Sequence, residues 1–379
     1  MLIGFYAPLK PPDHPAPSGD RRMARLLIAA LQGMGHEVQV LSDLRAYNSD
    51  GDAAREASIA AASSAEVTRL TRLFAGPPVA VPDLFFTYHV YHKAADYLGP
   101  VLKQRFQKPY VIAEPSVAPK RAASAWAKGY VQAANAIRAA DALFCLTNLD
   151  RACVEALAGA DKVHALPPFL DAAPYARVRA HRAALRPSWA QRFRLPPDEP
   201  WLLSVGMMRT GDKLASFRAL GDVLGRALDK PWRLLVVGDG PARAEVEAAL
   251  APLGSRASFA GLMNAEEIAG AYAVSDLYIW PSVNEAYGMA LLEAQACGLP
   301  VLAADTRGVP DIVRHGETGW LTPLGDWAAM AAALADLLQA PGRLEYMSEA
   351  ALANVAAEHD LAATQRRFAR LFAELGLPA

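Results

Sequence analysis

The chain contains 379 residues, of which 53% are hydrophobic and 20% are charged, and its formal net charge is −1. This length accommodates two domains with complete cores, and the balanced charge argues against a nucleic-acid partner. The N-terminus lacks the charged and apolar regions of a signal peptide, and no uncharged apolar stretch reaches the ~18 residues of a membrane span.

The hydrophobic pattern predicts two successive series of short strands separated by helices. The strands of the first series are predicted at 2–6, 36–41, 84–88, 110–113, 142–146 and 163–168. The strands of the second series are predicted at 201–205, 233–237, 257–260, 277–280, 301–304 and 319–322. Such alternation of strands and helices is typical of parallel sheets that carry helices on both faces.

Between these strands, residues 21–34 and the alanine-rich segment 44–76 are predicted to be helical. The Asp50-Gly51-Asp52 triplet follows polar residues rather than a strand, so we interpret it as a surface turn and not as a metal motif. The segment 171–200 is rich in proline and arginine and is predicted to be a linker. A helical tail is expected over 343–376.

The three cysteines, Cys145, Cys153 and Cys297, lack the spacing of a metal site. Two of them lie in apolar segments, which favours buried free thiols. Free thiols are typical of a reducing compartment, and we therefore expect a cytoplasmic protein.

The most informative stretch of the chain is 280–304, which places Glu285 and Glu293 on either side of a glycine-bearing turn. A helix is predicted from Met289 to Cys297, with Gly298 as its C-terminal cap. Backbone N–H groups at the start of that helix attract anions. An anion cradle between two hydrogen-bond acceptors suits a nucleotide sugar, whereas the alternative is a buried helix in which Glu293 pairs with a neighbouring arginine.

This stretch resembles the E-x7-E signature of the large retaining glycosyltransferase family known as family 4, or group 1. Four further segments resemble that family in order and spacing: LLVVGDGPAR at 234–243, SFAGLM at 258–263, GVPDIV at 308–313 and HGETGWLTP at 315–323. The resemblance implies the GT-B fold, an α/β architecture in which two Rossmann-like α/β/α domains face a central cleft. We expect an N-terminal acceptor domain over 1–185, a donor domain over 186–356, and a final helix over 357–379 that returns to the first domain.

The resemblance implies a metal-independent enzyme that transfers a sugar from a nucleoside-diphosphate sugar with retention of configuration. Glu285 would contact the transferred sugar, and Glu293 would accept hydrogen bonds from the ribose. Lys213 would bind the diphosphate. Arg209 is a second candidate, because Met207 occupies the position of the family's arginine. The alternative for both cations is a solvated surface.

The other donor contacts implied by the resemblance are largely backbone contacts: Gly19, Gly238, Leu262, Met263, Ala286, Tyr287, Gly288 and Met289. The turn 238–243 also resembles a dinucleotide fingerprint. It lacks the third glycine, and no acidic residue ends the next strand, so a nicotinamide cofactor is not expected. We expect no cofactor and no metal.

The acceptor side departs from the family pattern. A histidine is common there after the strand at 110–113, whereas this chain has Glu114 and Pro115. Glu114 is therefore placed in the catalytic centre in a polar role of its own. The candidate acceptor contacts on neighbouring loops are His14, Tyr88, His89, Tyr91, His92, Lys120 and Arg121.

The acceptor class stays open between a saccharide, a lipid-linked sugar and a small molecule. A lipid-linked acceptor would entail peripheral contact with the inner face of the membrane. Two other functions are compatible with the sequence. A sugar-nucleotide epimerase of the same fold would turn over its donor alone. A non-catalytic nucleotide-sugar-binding protein would explain the departures at Met207 and Pro115.

Overall fold

The computed structural model describes residues 1–16 and 18–378, which form two compact units. The first unit contains Met1–Pro167 together with the segment from Leu361 onward, and the second contains Pro168–Asp360. The division therefore falls at Pro167, before the predicted boundary at 185. The reason is that residues 168–185 pack on the second unit, as described below.

The first unit is built around a parallel six-stranded sheet with the order β2-β1-β3-β4-β5-β6 in the described residues. Its strands are β1 (Leu2–Tyr6), β2 (Glu37–Ser42), β3 (Leu84–Val90), β4 (Tyr110–Pro115), β5 (Ala142–Cys145) and β6 (Val163–Ala165). The central strands are apolar along nearly their whole length, since helices cover both faces of the sheet.

The helices of the first unit are α1 (Gly19–Gly33), α2 (Ala53–Leu73), α3 (Gly99–Phe106), α4 (Ala127–Ala139) and α5 (Asn148–Ala158), joined by α14 (Leu361–Glu374) from the end of the chain. Helix α14 belongs to this unit because Phe368 packs edge-on against Phe86 and Phe144, with ring centroids 5.9 Å and 5.2 Å away. Helix α2 is shorter than the predicted 44–76, and Asp52 caps its N-terminus through a hydrogen bond from the backbone N–H of Arg55.

The second unit repeats the plan with a parallel sheet in the order β12-β11-β10-β7-β8-β9. Its strands are β7 (Trp201–Val205), β8 (Arg233–Val237), β9 (Ala257–Gly261), β10 (Leu277–Trp280), β11 (Val301–Asp305) and β12 (Gly319–Pro323). Its helices are α6 (Ala173–Ala180), α7 (Arg182–Phe193), α8 (Asp212–Gly225), α9 (Arg243–Leu250), α10 (Ala265–Val274), α11 (Met289–Ala296), α12 (Trp327–Leu338) and α13 (Pro341–Asn354).

The predicted linker at 171–200 is wrong, because most of it forms α6 and α7. Arg186 of α7 lies 4.0 Å from the ring centroid of Trp201 and makes a 3.0 Å ion pair with Asp276. Arg182 also pairs with Asp276. Arginines on α7 thus attach this helix to the residues at the start of β7 and β10. The amino-acid composition of the segment does not reveal these contacts.

The tail differs from prediction in its continuity. Helix α13 runs into a short π-helical segment, Val355–His359, and Asp360 in extended conformation separates it from α14. His359 is buried and its Nδ1 lies 2.7 Å from the carbonyl of Pro168, within the second unit. No helix among the described residues combines the length and the apolar character needed to cross a membrane.

Candidate active site

Each sheet has one point at which the strand order reverses. In the second unit this point lies between β7 and β10, since β8 and β9 extend the sheet on one side while β11 and β12 extend it on the other. In the first unit it lies between β1 and β3. Loops at the carboxyl ends of such strands leave a crevice, which is where open α/β sheets bind ligands.

A cation and a carboxylate meet at the switch point of the second unit. Lys213 Nζ, in the first turn of α8, donates to Glu285 Oε2 at 2.6 Å. The same oxygen accepts a 3.2 Å hydrogen bond from Trp280 Nε1, and Lys213 lies 5.2 Å from the centroid of the Trp280 ring. The structure therefore brings together two residues that are 72 positions apart in the sequence.

The loop that carries Glu285 is held against the first turns of α8. The backbone N–H of Val283 donates to Ser216 Oγ at 3.1 Å, and the Asn284 side chain donates to Asp212 Oδ2 at 2.8 Å. Gly288 has a φ of 78°, and a Cβ there would lie 2.8 Å from Leu291 Cδ1. A glycine is thus needed for the chain to turn from this loop into α11.

Glu293 is 6% exposed and its Oε2 accepts a 2.9 Å hydrogen bond from the hydroxyl of Tyr272. One hydrogen-bond partner of Glu293 is thus a tyrosine. Burial raises the pKa of Tyr272 well above its ordinary value, and the nearby Glu293 carboxylate raises it further. The tyrosine stays protonated as a donor, which fixes the orientation of the Glu293 carboxylate.

Close backbone packing within the second unit requires a glycine at position 238. Its φ is 135°, and a Cβ there would lie 1.9 Å from the carbonyl oxygen of Gly206. Its N–H donates to the carbonyl of Gly261 at 2.9 Å, so the loops after β7, β8 and β9 are joined through backbone contacts. Because the fold itself requires glycine at this position, the residue carries no information about a ligand.

The other donor candidates lie at the same edge of this sheet with different exposures. Leu262 is 77% exposed and Met207 is 44% exposed. Met208, which follows Met207 in the loop after β7, is fully buried. Arg209 is exposed, and Met263 packs partly on the core. Ala286, Tyr287 and Met289 surround Gly288 at the start of α11, with Ala286 exposed and the other two partly buried.

The switch point of the first unit holds three titratable groups. His89 Nδ1 lies 3.1 Å from Asp20 Oδ1 in α1 and 3.9 Å from Glu114 Oε1. Tyr88 pairs with Ala113 and Val90 with Pro115, so His89 and Glu114 lie opposite each other on adjacent strands. Both have left-handed backbones, with φ of 61° and 58°. Such strain costs about 1–3 kcal/mol per residue and is concentrated at functional sites.

The charges at this point are coupled. Burial lowers the pKa of His89, but the carboxylates of Glu114 and Asp20 outweigh burial and raise it. Burial raises the pKa of Glu114 despite the opposing effect of His89. Burial also acts to raise the pKa of Asp20, but its hydrogen bond with His89 prevails and the pKa is lowered. The arrangement favours an imidazolium held by Asp20, a residue that the sequence analysis did not name as part of the site.

The remaining N-terminal candidates are scattered around these three residues. Gly19 starts α1 beside the Ser18 N-cap, and a Cβ on it would meet no atom of the described residues within 4 Å, so those residues do not require glycine there. His14 Nδ1 accepts from the backbone N–H of Ala16 within its own loop. Tyr88 is 1% exposed, so its side chain is part of the core next to the site.

A further group is centred on Trp126, which, like Lys93, the sequence analysis did not name. Lys93 Nζ and Arg121 Cζ each lie 4.8 Å from the centroid of its ring. The His92 ring lies 5.7 Å away at a nearly perpendicular angle. Lys120 is exposed on the same short turn as Arg121. The spacing of these residues in the sequence gave no signal that they share one indole ring.

No group of three or more His, Cys, Asp or Glu side chains in the described part of the chain is arranged to hold a metal ion. Cys145 and Cys297 are buried and Cys153 is exposed, and all three are free thiols. Burial raises the pKa of Cys145 to about 12, so that thiol is unreactive.

Comparison with solved structures defines the fold class. HepE of Anabaena in complex with UDP superposes with a TM-score of 0.75 and 17% identity, over 99% of this chain and 100% of that one. WaaG, a glycosyltransferase of lipopolysaccharide biosynthesis, superposes with a TM-score of 0.66 and 18% identity, over 98% and 99% of the two chains. The predicted fold class is confirmed: the protein has the two Rossmann-like α/β domains of the GT-B fold.

Sequence comparison identifies the second unit more specifically. Residues 199–340 match the family model described as glycosyl transferases group 1. A D-inositol 3-phosphate glycosyltransferase of Rhodococcus erythropolis is 37% identical over 54% of this chain and 47% of its own length. An alpha-D-kanosaminyltransferase of Streptomyces kanamyceticus is 32% identical over 64% of this chain and 63% of its own length. This chain thus covers 47% and 63% of the lengths of these two relatives, and the likeness to group 1 glycosyltransferases in the family model extends over 199–340.

Proposed function

We propose that this protein is a retaining glycosyltransferase that uses a nucleoside-diphosphate sugar and no metal. The observation that carries this proposal is the contact between Lys213 and Glu285 at the switch point of the second unit, within the segment that matches group 1 glycosyltransferases. A cation beside a carboxylate at that edge provides one partner for phosphate and one for sugar hydroxyls.

The donor would separate the two members of this pair. Lys213 has three donors and a flexible stem, and its side chain is 32% exposed, so it can turn from Glu285 to the diphosphate. Glu285 is 18% exposed and would then accept hydrogen bonds from the transferred sugar. The backbone N–H groups at the start of α11 would add to the binding of phosphate.

Glu293 would receive the ribose hydroxyls. Tyr272 already holds one of its oxygens at 2.9 Å and fixes the carboxylate in one orientation. A carboxylate can accept more than one hydrogen bond at each oxygen, so the structural contact and the ribose contact are compatible. Because the Glu293 carboxylate is already oriented, little conformational entropy is lost from it when the nucleotide binds.

Chemistry would proceed without a protein nucleophile. The bond between the anomeric carbon and the β-phosphate oxygen breaks, the acceptor oxygen bonds to the same carbon, and the acceptor proton passes to the leaving phosphate. Catalysis then depends on position and on charge stabilisation, to which Lys213 contributes on the leaving diphosphate. The first unit would bind the acceptor, and Glu114 and His89 would lie near the acceptor hydroxyl that reacts.

A thermal-shift screen with UDP, GDP, ADP and their sugars tests the proposal. UDP is tested first, since the HepE structure contains UDP. A nucleotide present at ~100 times its dissociation constant should add about 2.7 kcal/mol of stability to the protein. The Glu285→Gln variant should retain nucleotide binding and lose transfer. Absence of a shift with every nucleotide would refute the proposal.

A further inference from the structure

Two cations of the first unit are gathered around one aromatic ring. We call Lys93, Arg121 and Trp126 the cation platform, because both charged groups lie 4.8 Å from the centroid of the Trp126 ring. The two charges are therefore within about twice that distance of each other. Lys93 follows β3 and Trp126 follows β4, so the platform is at the carboxyl edge of the first sheet.

Hydrogen bonds through Asn48 hold the platform in place. Asn48 is 1% exposed, its carbonyl accepts from Trp126 Nε1 at 3.0 Å, and its N–H donates to the carbonyl of Lys93 at 2.8 Å. Gly51 has a φ of 75°, and a Cβ there would lie 2.6 Å from the backbone of Ala125. The loops that carry Asn48, Lys93 and Trp126 are thus held together by hydrogen bonds of the buried Asn48 backbone. A binding site requires support of this kind.

The charges of the platform have no counter-ion in the described part of the protein. Lys93 and Arg121 are partly buried, yet neither makes an ion pair with a described residue, and the buried Arg121 Nε has no hydrogen-bond acceptor among those residues. The carboxylate of Glu56 on α2, which is linked to the platform through Asn48, accepts hydrogen bonds from Asn48 and Tyr97. Partly buried like charges without a partner are costly, and they persist where a ligand supplies the opposite charge.

The neighbouring His92 lies in the positive electrostatic environment of Lys93 and Arg121. Burial, together with the charges of Arg121 and Lys93, lowers the pKa of His92 to about 4. The imidazole is therefore neutral near pH 7. Its buried Nε2 has no hydrogen-bond partner among the described residues, so it adds a polar atom to the edge of the platform.

A row of ring contacts links the platform to the switch point of this unit. The His89 and Tyr91 rings are 4.8 Å apart, Tyr91 and His92 are 5.3 Å apart, and His92 and Trp126 are 5.7 Å apart. His89 in turn contacts Asp20 and Glu114. A compound bound along this row would have one end at the strained residues and the other at the cations.

We propose that the acceptor carries an anionic group, a phosphate or a carboxylate, and that Arg121 and Lys93 bind it. This inference rests on the proposed transfer reaction. The planar guanidinium of Arg121 can bind two anionic oxygens at once, while Lys93 acts as a point charge beside it. The aromatic rings between the platform and His89 provide apolar faces on which a sugar or polyol can pack.

Binding of small anions to the full-length chain tests the proposal directly. The protein is first saturated with UDP, which occupies the phosphate sites of the second unit, and is then titrated calorimetrically with glucose 6-phosphate, glucuronic acid and glucose. The variants are Arg121→Gln and Lys93→Gln. The control is Arg138→Gln, which removes an exposed cation from α4 at the opposite edge of the same sheet.

We expect at least one of the two anions to bind more tightly than glucose by about tenfold or more. Each platform variant should remove most of that preference, while the control variant should keep it. A preference for glucose 6-phosphate over glucuronic acid identifies phosphate as the group, and the reverse order identifies carboxylate. Thermal unfolding of each variant verifies that the fold is intact, and Lys93→Gln preserves the test where Arg121→Gln fails to fold.

Equal binding of the anions and glucose, or a preference that both platform variants retain, would overturn the inference. A separate result concerns the transfer reaction: if UDP does not bind, the proposed function fails. The anion titrations are then repeated without UDP on the Lys213→Ala variant. The two failures are therefore distinguishable, because one is measured on the second unit and the other on the first.

Discussion

The Lys213→Ala substitution separates a structural role of the lysine from a role in donor binding. Lys213 and Glu285 are joined at 2.6 Å, but their side chains are 32% and 18% exposed. For an ion pair so open to solvent, loss of the cation should lower the free energy of unfolding by about 1 kcal/mol or less. A hydrogen bond from a charged group to the diphosphate contributes about 1.5–3 kcal/mol. The affinity for UDP should therefore fall by about ten- to a hundredfold.

The same change should have a second consequence that a structural role would not produce. Without Lys213, the Glu285 carboxylate retains only its hydrogen bond from Trp280 among the contacts described, and its charge repels the diphosphate. The double variant Lys213→Ala, Glu285→Gln should therefore bind UDP more tightly than Lys213→Ala alone. A double-mutant cycle of this kind isolates the coupling of the two residues.

Calorimetric titration with UDP and urea unfolding measure the two quantities on the same samples. Lys230→Ala is the matched control, since Lys230 pairs with Asp229 at 2.9 Å just before β8, at the opposite edge of the sheet. It should leave the affinity for UDP unchanged. A dissociation constant of Lys213→Ala within about twofold of the wild type would refute the assignment of this lysine to the diphosphate.

Three further predictions follow from the geometry. Glu293→Ala should weaken UDP binding about ten- to a hundredfold and also lower stability, because Tyr272 loses its acceptor; a loss of stability alone would make the residue structural. His89 has a raised pKa, so its contribution to stability should be complete below about pH 6.5 and decline as the pH rises through that raised pKa. Urea unfolding of wild type and His89→Gln between about pH 6 and 9 should show this decline, and a constant difference would contradict it. Gly238→Ala should cost about 3 kcal/mol or more in urea unfolding because its Cβ would meet the Gly206 carbonyl oxygen at 1.9 Å, whereas Gly225→Ala, with no atom within 4 Å, should cost little.

The alternation of apolar runs was sufficient to predict the twelve strands, and the bounds 201–205, 233–237 and 277–280 agree with the structure to the residue. These strands are buried on both faces, so their apolar pattern is strong and local. The segment 171–200 could not be predicted in the same way. Its helices are fixed by arginines that contact Asp276 and Trp201, and such long-range contacts leave no periodic pattern in the sequence.

The candidate site was predictable in its parts and not in its contacts. Motif spacing indicated Glu285, Glu293 and Lys213, but the tie between Lys213 and Glu285 depends on which loops meet at the switch point of the sheet. The opposed left-handed backbones of His89 and Glu114 are likewise a property of the folded strands. A positive φ is uncommon for any residue other than glycine, so neither residue alone predicts this conformation, although histidine adopts it more often than most residue types.

The measurement that tests the central claim most directly is the anomeric configuration of a transferred sugar. Purified protein is incubated with a donor whose sugar is α-linked to the nucleoside diphosphate and with a panel of neutral and anionic acceptors, and the product is analysed by mass spectrometry and proton NMR. The account predicts an acceptor that has gained one sugar in α-linkage, with release of the nucleoside diphosphate. Release of free or epimerised sugar without transfer would contradict it, and a β-linked product would contradict the retaining mechanism.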